Sequence, residues 1–142
     1  MREAAPSLES LPFRTQHELR YSDTDAQGHI NNGISATLME TCRVTLLRGG
    51  GLKARFNNTF VLARNEIDFL TEMFWPGTVT AAIGVERIGG SSITFRQAVF
   101  RDLVCVSAGR AIIVAFDEKT RRPTPLAQEA RLELENWMVR GR

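Results

Sequence analysis

One segment of this sequence repeats its apolar residues with the period of a helix, whereas most of the other segments alternate as strands do. From Asn32 onward apolar residues recur at about every fourth position, which is typical of the buried face of an α-helix. The residues of this face are Ile34, Leu38, Met39, Cys42, Leu46 and Leu47. The triplet Gly49-Gly50-Gly51 predicts the end of the helix. A chain with one long amphipathic helix has to bury that face against a sheet.

Five other segments predict this sheet. Strand-like alternation occurs over residues 14–21, 60–69, 78–88, 91–101 and 103–116. Gly89-Gly90 predicts a hairpin, Trp75-Pro76-Gly77 predicts a turn, and Gly109 predicts a bulge in the last strand. Thr124-Pro125 is typical of the start of a short helix, here over residues 126–138. The order of strand, long helix, four antiparallel strands and short helix predicts an α+β fold.

Length and composition limit the function classes. The 142 residues suit one domain, residues 1–142, with a core from about residue 13 to residue 137. A scattered net charge of +2 does not predict nucleic-acid binding, although it suits a small anionic ligand. No apolar run approaches the roughly 18–20 residues that cross a bilayer, and the first ten residues lack the apolar region of a secretion signal. We therefore expect a cytoplasmic protein that binds no membrane.

The two cysteines do not predict a metal or redox centre. Cys42 and Cys105 lie outside any CxxC motif or Cys/His cluster. We expect both to be buried thiols that pack as small apolar side chains, and we expect no metal site.

The most polar stretch of the chain lies between the first predicted strand and the helix. Residues 21–32 read Tyr-Ser-Asp-Thr-Asp-Ala-Gln-Gly-His-Ile-Asn-Asn. The first turn of a helix has backbone N–H groups without intrahelical partners, with the positive end of the helix dipole behind them. A neighbouring carboxylate can attack a carbonyl carbon or activate water while such N–H groups stabilise an oxyanion. We therefore expect the chemistry in this loop, where Asp25 is either the catalytic carboxylate or an ordinary capping aspartate.

This loop also carries a resemblance to a known family. The run from Arg20 to Asn32, Glu40 and Arg43 in the helix, and the strand segment Arg64-Asn65-Glu66-Ile67-Asp68-Phe69 resemble the hotdog-fold acyl-CoA thioesterases of the 4-hydroxybenzoyl-CoA thioesterase type. The resemblance implies a hotdog fold, in which a long central helix is wrapped by a curved antiparallel sheet of about five strands. It further implies hydrolysis of an acyl-CoA thioester by a homodimer or homotetramer with active sites at subunit interfaces.

The resemblance also assigns roles within the loop. Asp25 corresponds in position to the family's catalytic carboxylate, which acts as nucleophile or general base. The backbone N–H of His29, with Gly28 beside it, corresponds to the donor that polarises the thioester carbonyl, a role that we prefer to that of the His29 imidazole as a general base. CoA is part of the substrate, and no cofactor is implied. Many relatives carry aromatic residues where this chain has Gly33-Ile34-Ser35 and Met39, which suggests a less aromatic acyl pocket.

Other polar residues near the helix start have both structural and functional interpretations. Asn31 and Asn32 are equally consistent with binding substrate or water and with capping the helix. Asp23 is expected to hydrogen-bond the loop and hold the catalytic aspartate in place. Glu40 and Arg43 are spaced for an i,i+3 ion pair on the helix.

Two further candidates for substrate binding lie on strands or turns. Ser91 and Ser92 follow the predicted glycine turn and are candidates for contacts with the pantetheine or phosphates of CoA, or form only the turn. Arg64 shares one strand face with Glu66 and Asp68, and this face is expected to bind substrate, to bridge subunits or simply to be solvated.

Two other functions stay open at this point. Hotdog enoyl-thioester hydratases also pair an aspartate with a histidine a few residues later, as Asp25 and His29 are spaced. The asparagine-proline element expected between them in those enzymes is missing here. A non-catalytic acyl-CoA binding domain would keep the pocket and lack the carboxylate, whereas Asp25 is present. Thioester hydrolysis is therefore the leading hypothesis.

Overall fold

The fold is one long helix packed on a curled antiparallel sheet. The computed structural model describes residues 3–48 and 59–141. Helix α1 (Asn32–Arg48) lies across the sheet, and the short helix α2 (Gln128–Leu134) follows the last strand. The strands are β1 (Phe13–Glu18), β2 (Thr59–Phe69), β3 (Thr78–Ile88), β4 (Ser92–Arg101), β5 (Val104–Asp117) and β6 (Arg122–Pro123). Their order in the sheet is β1-β3-β4-β5-β2, with β6 paired to β5. The predicted α+β hotdog fold is confirmed.

The predicted apolar face of α1 forms the centre of the core. Cys42, Leu46 and Leu47 are buried against strand residues that include the fully buried Phe95. Burying a side chain of that size contributes about 1.5–3 kcal/mol. Met39, one turn earlier, belongs to a second apolar cluster that lies toward the start of the helix. The predicted helix end at Gly49-Gly50-Gly51 lies outside the described residues.

The predicted Gly89-Gly90 hairpin is confirmed, and a second tight turn connects β4 to β5. The β3–β4 hairpin closes where the N–H of Gly89 donates to the carbonyl of Ser92 at 2.7 Å. The β4–β5 turn places two non-glycine residues in the left-handed region, Asp102 at φ 51° and Leu103 at φ 68°.

Two of the predicted strand features are wrong. The first strand ends at Glu18 instead of residue 21, because residues 21–23 form a 3₁₀ turn after it. Gly109 is not a bulge, since it pairs in register with Ile67 on one side and Gln97 on the other. A Cβ at Gly109 would lie 1.6 Å from the carbonyl oxygen of Glu66. Glycine is required there because the backbone of β2 approaches closely.

The predicted start of the last helix is also wrong. The N–H of Thr124 donates to the carbonyl of Ala115 at 2.9 Å, and the N–H of Leu126 donates to the carbonyl of Gly90 at 3.0 Å. These bonds to the sheet keep the segment extended, so that α2 begins only at Gln128. The helix ends at Leu134, and a 3₁₀ turn over Glu135–Trp137 follows it.

The sheet face opposite α1 is covered by the N-terminal segment. Leu11 is fully buried there, in a cluster with Ala98 and Phe100. Arg110 fixes the beginning of this segment by donating to Glu3 at 2.8 Å through Nη2. The N-terminal segment therefore covers the face that α1 leaves open.

Candidate active site

The first half of the polar loop is built around the carboxylate of Asp23. This side chain is only 6% exposed. It accepts a hydrogen bond from the backbone N–H of Arg20 at 2.8 Å and one from the Arg20 guanidinium at 2.8 Å. Its backbone carbonyl accepts the N–H of Asn31 at 2.8 Å, which joins the two ends of the loop. Asp23 thus hydrogen-bonds the loop as the sequence predicts.

The second half of the loop is wound around Asp25. Its Oδ1 atom accepts the N–H groups of Gln27 at 2.9 Å and of His29 at 3.1 Å. The turn is completed by Gly28, whose N–H donates to the carbonyl of Asp25 at 3.1 Å and whose φ of 85° suits glycine. The carboxylate is exposed, and in the described part of the chain its Oδ2 atom accepts no hydrogen bond. One oxygen is therefore held in place and the other is free to react.

The predicted oxyanion donors are engaged within this turn. In this structure the N–H groups of Gly28 and His29 both donate to Asp25 itself, and His29 lies before the helix instead of at its start. The helix begins at Asn32, where Asn31 acts as the cap by accepting the N–H of Gly33 on Oδ1 at 2.8 Å. Within residues 3–48 and 59–141, the N–H of Asn32 has no acceptor. The unpaired donor at the positive end of the helix is thus at Asn32.

Asp25 and the start of α1 share a cleft of about 430 Å³. Its second wall is the segment that follows β2. The backbone holds this wall against the loop, because the N–H of Ile30 donates to the carbonyl of Met73 at 2.8 Å and His29 bridges to Phe74. The cleft is lined by Asp25, Gln27, His29, Ile30, Asn31, Asn32, Ser35, Phe69, Leu70, Thr71, Glu72, Met73 and Val106.

Three titratable side chains lie in the cleft: Asp25, His29 and Glu72. The Nε2 atom of His29 is 3.4 Å from Oε1 of Glu72. The His29 ring also packs against the ring of Phe74, with 5.1 Å between centroids. Sequence reasoning missed Glu72, because it reaches the site from a loop 43 residues after His29 that carries no motif of its own.

A buried hydroxyl pair adjoins the cleft. Ser35 lies on α1 and lines the cleft, and the hydroxyl of Ser107 on β5 lies 2.9 Å from its Oγ. Both residues are buried. Sequence reasoning noted Ser35 only as a departure from an aromatic pattern. The pair makes this part of the site polar instead of aromatic.

Four of the eight predicted site residues line the cleft, whereas Gly28, Arg64, Ser91 and Ser92 do not. Asp25, His29, Asn31 and Asn32 line it together. Arg64 instead forms an ion pair with Glu66. Their neighbour Asn65 accepts a hydrogen bond from the buried Gln97 on the helix side at 2.7 Å. Because successive strand residues point to opposite faces, Arg64 points away from the helix and the cleft.

Ser91 and Ser92 lie at the other end of the sheet. β3 pairs with β1 at the cleft end and turns into β4 beside these serines. Its 11 residues span roughly 35 Å at about 3.3 Å per residue. Within one protomer these serines are therefore distant from Asp25.

The predicted ion pair between Glu40 and Arg43 is wrong. Among the ion pairs of the described residues none joins them. Arg43 is buried and donates to Oε1 of Gln97 at 2.7 Å. Burial lowers the pKa of Arg43, and the negative charge of Glu40 acts in the opposite direction.

The thiols are poorly suited to nucleophilic chemistry. Cys42 is buried as predicted, and burial raises the pKa of its thiol to about 11. Cys105 is only partly buried, and burial again raises its pKa. Both groups are therefore mainly protonated near neutral pH, which disfavours the thiolate that a nucleophile requires.

Two structural features of the described residues bear on other classes of site. Residues 3–48 and 59–141 contain no group of three or more His, Cys, Asp and Glu side chains that could hold a metal ion. In the same ranges no helix is both long and apolar enough to cross a membrane.

The chain is also similar to known proteins. The family described as the thioesterase superfamily matches residues 27–103, which begin two residues after Asp25. The structure of a predicted thioesterase from Bacillus stearothermophilus is 30% identical, with a TM-score of 0.81 and coverage of 92% of this chain and 98% of that chain. No curated protein matches the chain.

More distant structures share the fold. One is a thioesterase from Thermus thermophilus complexed with coenzyme A and Zn, which is 24% identical, with a TM-score of 0.79 and coverage of 94% of this chain and 99% of that chain. Another is the DHNA-CoA thioesterase from Staphylococcus aureus, which is 20% identical, with a TM-score of 0.77 and coverage of 87% of this chain and 88% of that chain.

Proposed function

The chain belongs to the thioesterase superfamily, and from this premise we propose that it hydrolyses an acyl-CoA thioester to a free acid and CoA, with Asp25 as the reacting carboxylate. The observation that carries the proposal is that Asp25 and the first turn of α1 line one cleft. The coenzyme A bound by the Thermus thioesterase supports CoA as the leaving group. The weakly positive net charge is compatible with an anionic substrate.

In the proposed mechanism the two oxygens of Asp25 have different tasks. Oδ1 is held by the N–H groups of Gln27 and His29. Oδ2 attacks the thioester carbon, which gives a mixed anhydride and releases the CoA thiolate, or it takes a proton from a water that attacks instead. The N–H of Asn32, aided by the helix dipole, stabilises the oxyanion. The N–H of His29 is a second donor to this oxyanion if substrate displaces Oδ1.

The substitution Asp25→Asn tests the assignment. Its amide oxygen can still accept the two loop N–H groups, but it is neither a nucleophile nor a base, so turnover should fall by about 100-fold or more while the fold is kept. The measurement is release of free CoA thiol from a panel of acyl-CoAs of different chain length and aromaticity. Asp102→Asn is the matched control, because Asp102 is an exposed aspartate in the β4–β5 turn. Undiminished turnover by Asp25→Asn would refute the proposal.

The same assay separates the two alternative functions. A hydratase would decrease the enoyl absorbance of crotonyl-CoA without releasing the free thiol of CoA. A non-catalytic acyl-CoA binding domain would be stabilised against heating by CoA esters and release no thiol from any of them.

The proposal includes a homodimer formed through the β2 edge of the sheet. Among the described strands β2 pairs only with β5, and it exposes Val61 by 41%, Leu62 by 49% and Phe69 by 45%. An exposed apolar edge strand favours pairing with a second chain. Phe69 also lines the cleft, so a second copy on this edge would add residues to the active site.

Leu62→Lys tests this interface. A charge on the apolar edge should convert the dimer into monomers and lower activity, as measured by light scattering after gel filtration and by thiol release. Leu132→Lys on α2 is the matched control, because Leu132 is a similarly exposed leucine, at 53%, away from this edge. A wild-type protein that is monomeric, or a Leu62→Lys variant that stays dimeric, would contradict the interface.

A further inference from the structure

The histidine–glutamate pair in the cleft has no role in the reaction described so far. His29 contributes its backbone to the loop, and its imidazole is left 3.4 Å from Glu72 through Nε2. Both side chains line the same cleft as Asp25. Apart from the aspartate, they are its only titratable groups among the described residues.

A two-step reaction requires a proton acceptor other than Asp25. Attack by Asp25 on the thioester gives an acyl–aspartate anhydride, and no proton moves in that step, because a carboxylate attacks and a thiolate leaves. The second step adds water to the acyl carbon, and this water has to lose a proton. Asp25 is acylated at that point, so it cannot be the base.

We propose that the imidazole of His29, oriented by Glu72, is the general base that activates water for hydrolysis of the anhydride on Asp25. The water proton passes to His29, the water oxygen bonds to the acyl carbon, and the bond between that carbon and the Asp25 oxygen breaks. The free acid leaves, the carboxylate of Asp25 is regenerated, and His29 returns its proton to solvent. This inference rests on the proposed function, with Asp25 as nucleophile.

Glu72 acts as a positioning residue through His29. When the Nε2–H group of His29 donates to Glu72, Nδ1 carries the free lone pair of the neutral ring and is the basic nitrogen. Two contacts orient the ring, the one with Glu72 and the tilted packing against Phe74, and the backbone bridge between His29 and Phe74 holds the two rings side by side. Glu72 is 66% exposed at the side chain, so the pair can exchange its proton with solvent after each turnover.

The test measures the first turnover as well as the steady state. In His29→Gln the first step is intact and the second is slow, so we expect a rapid release of about one CoA per active site followed by steady-state turnover that is about 100-fold lower. Intact-protein mass spectrometry of the quenched reaction should show the mass of the acyl group on Asp25, removable by hydroxylamine. Wild-type protein should show neither the burst nor the adduct.

Glu72→Gln tests the positioning role separately. It should lower kcat by about 10-fold without changing KM, and the double variant with His29→Gln should be no slower than His29→Gln alone, because both changes act on one base. Glu129→Gln on α2 is the matched control, since Glu129 is exposed and far from the cleft. As Glu72 is exposed, this variant should fold even if the His29 variant does not.

The variants distinguish a failure of the His29 base assignment from a failure of the proposed thioester hydrolysis by Asp25. If His29→Gln keeps full turnover, or loses turnover without a burst or adduct while Asp25→Asn is inactive, the base assignment is wrong and thioester hydrolysis stands. Additive losses in the double variant would overturn the role of Glu72. Full activity in Asp25→Asn would overturn the proposed function itself.

Discussion

Asp23 and Asp25 lie two residues apart in one loop, yet their surroundings are opposite. Asp23 is buried, and both of its oxygens are bound by Arg20. Asp25 is exposed, with one oxygen held by backbone N–H groups and the other without a partner in the described part of the chain. The two carboxylates therefore have different roles. Asp23 stabilises the loop, whereas Asp25 has an oxygen that is available to react.

The largest expected effect on stability is that of Asp23→Asn. The amide has a single acceptor oxygen, so it can accept either the guanidinium or the backbone N–H of Arg20 but not both, and the free energy of unfolding should fall by about 2 kcal/mol. Urea unfolding followed by circular dichroism measures this loss. Asp25→Asn serves as the control and should stay within about 0.5 kcal/mol of the wild type, because its amide oxygen still accepts both loop N–H groups. Equal losses of unfolding free energy in the two variants would show that Asp23 and Asp25 do not differ in their contribution to stability.

The second expected effect is a loss of stability at low pH, when Asp23 becomes protonated. Burial alone would raise the pKa of Asp23, but the hydrogen bonds and the charge of Arg20 bring it below its ordinary value of 3.8. The unfolded chain therefore takes up the proton first as the pH falls, and stability is lost below about pH 4 and down through the lowered pKa. Above about pH 5 the contribution is complete.

The measurement is the difference in unfolding free energy between the wild type and Asp23→Asn. This difference should be constant from neutral pH to about pH 5 and should shrink as the pH is lowered further. A difference that does not change between these conditions would show that the charge of Asp23 contributes nothing.

The sequence could predict the features whose causes are local. The helix α1 and the Gly89-Gly90 turn could be predicted because nearby residues specify them. Asp25, His29 and the two asparagines could be predicted to lie near one another because they belong to one short polar loop, and they line the same cleft. The features that the sequence could not predict depend on contacts between distant segments. Glu72 enters the site because the backbone of Ile30 pairs with that of Met73, and no local pattern signals this pairing.

The errors have the same physical origin. The sequence predicts a bulge at Gly109, but glycine is needed there because the backbone of β2 passes so closely. Thr124 has the chemistry of a helix cap, but its N–H bonds to β5. The predicted contact of Ser91 and Ser92 with CoA stays a prediction, since within one protomer the length of β3 separates them from the cleft. Side-chain chemistry alone does not specify which segments meet.

The smallest expected effect is that of Arg20→Ala, and it identifies what holds Asp23. The guanidinium is 72% exposed, whereas the backbone N–H of Arg20 that donates to Oδ2 is kept in the variant. Because solvent screens an exposed charge, the loss of stability should be smaller than in Asp23→Asn. The pKa of Asp23 should rise toward its ordinary value, so that less stability is lost at low pH.

The stability of Arg20→Lys should lie between that of the wild type and that of Arg20→Ala, because an ammonium group cannot reproduce the two-nitrogen contact. If Arg20→Ala destabilises as much as Asp23→Asn, the guanidinium alone holds Asp23. Turnover should stay close to that of the wild type in either case, since the bonds that hold Asp25 come from Gln27 and His29.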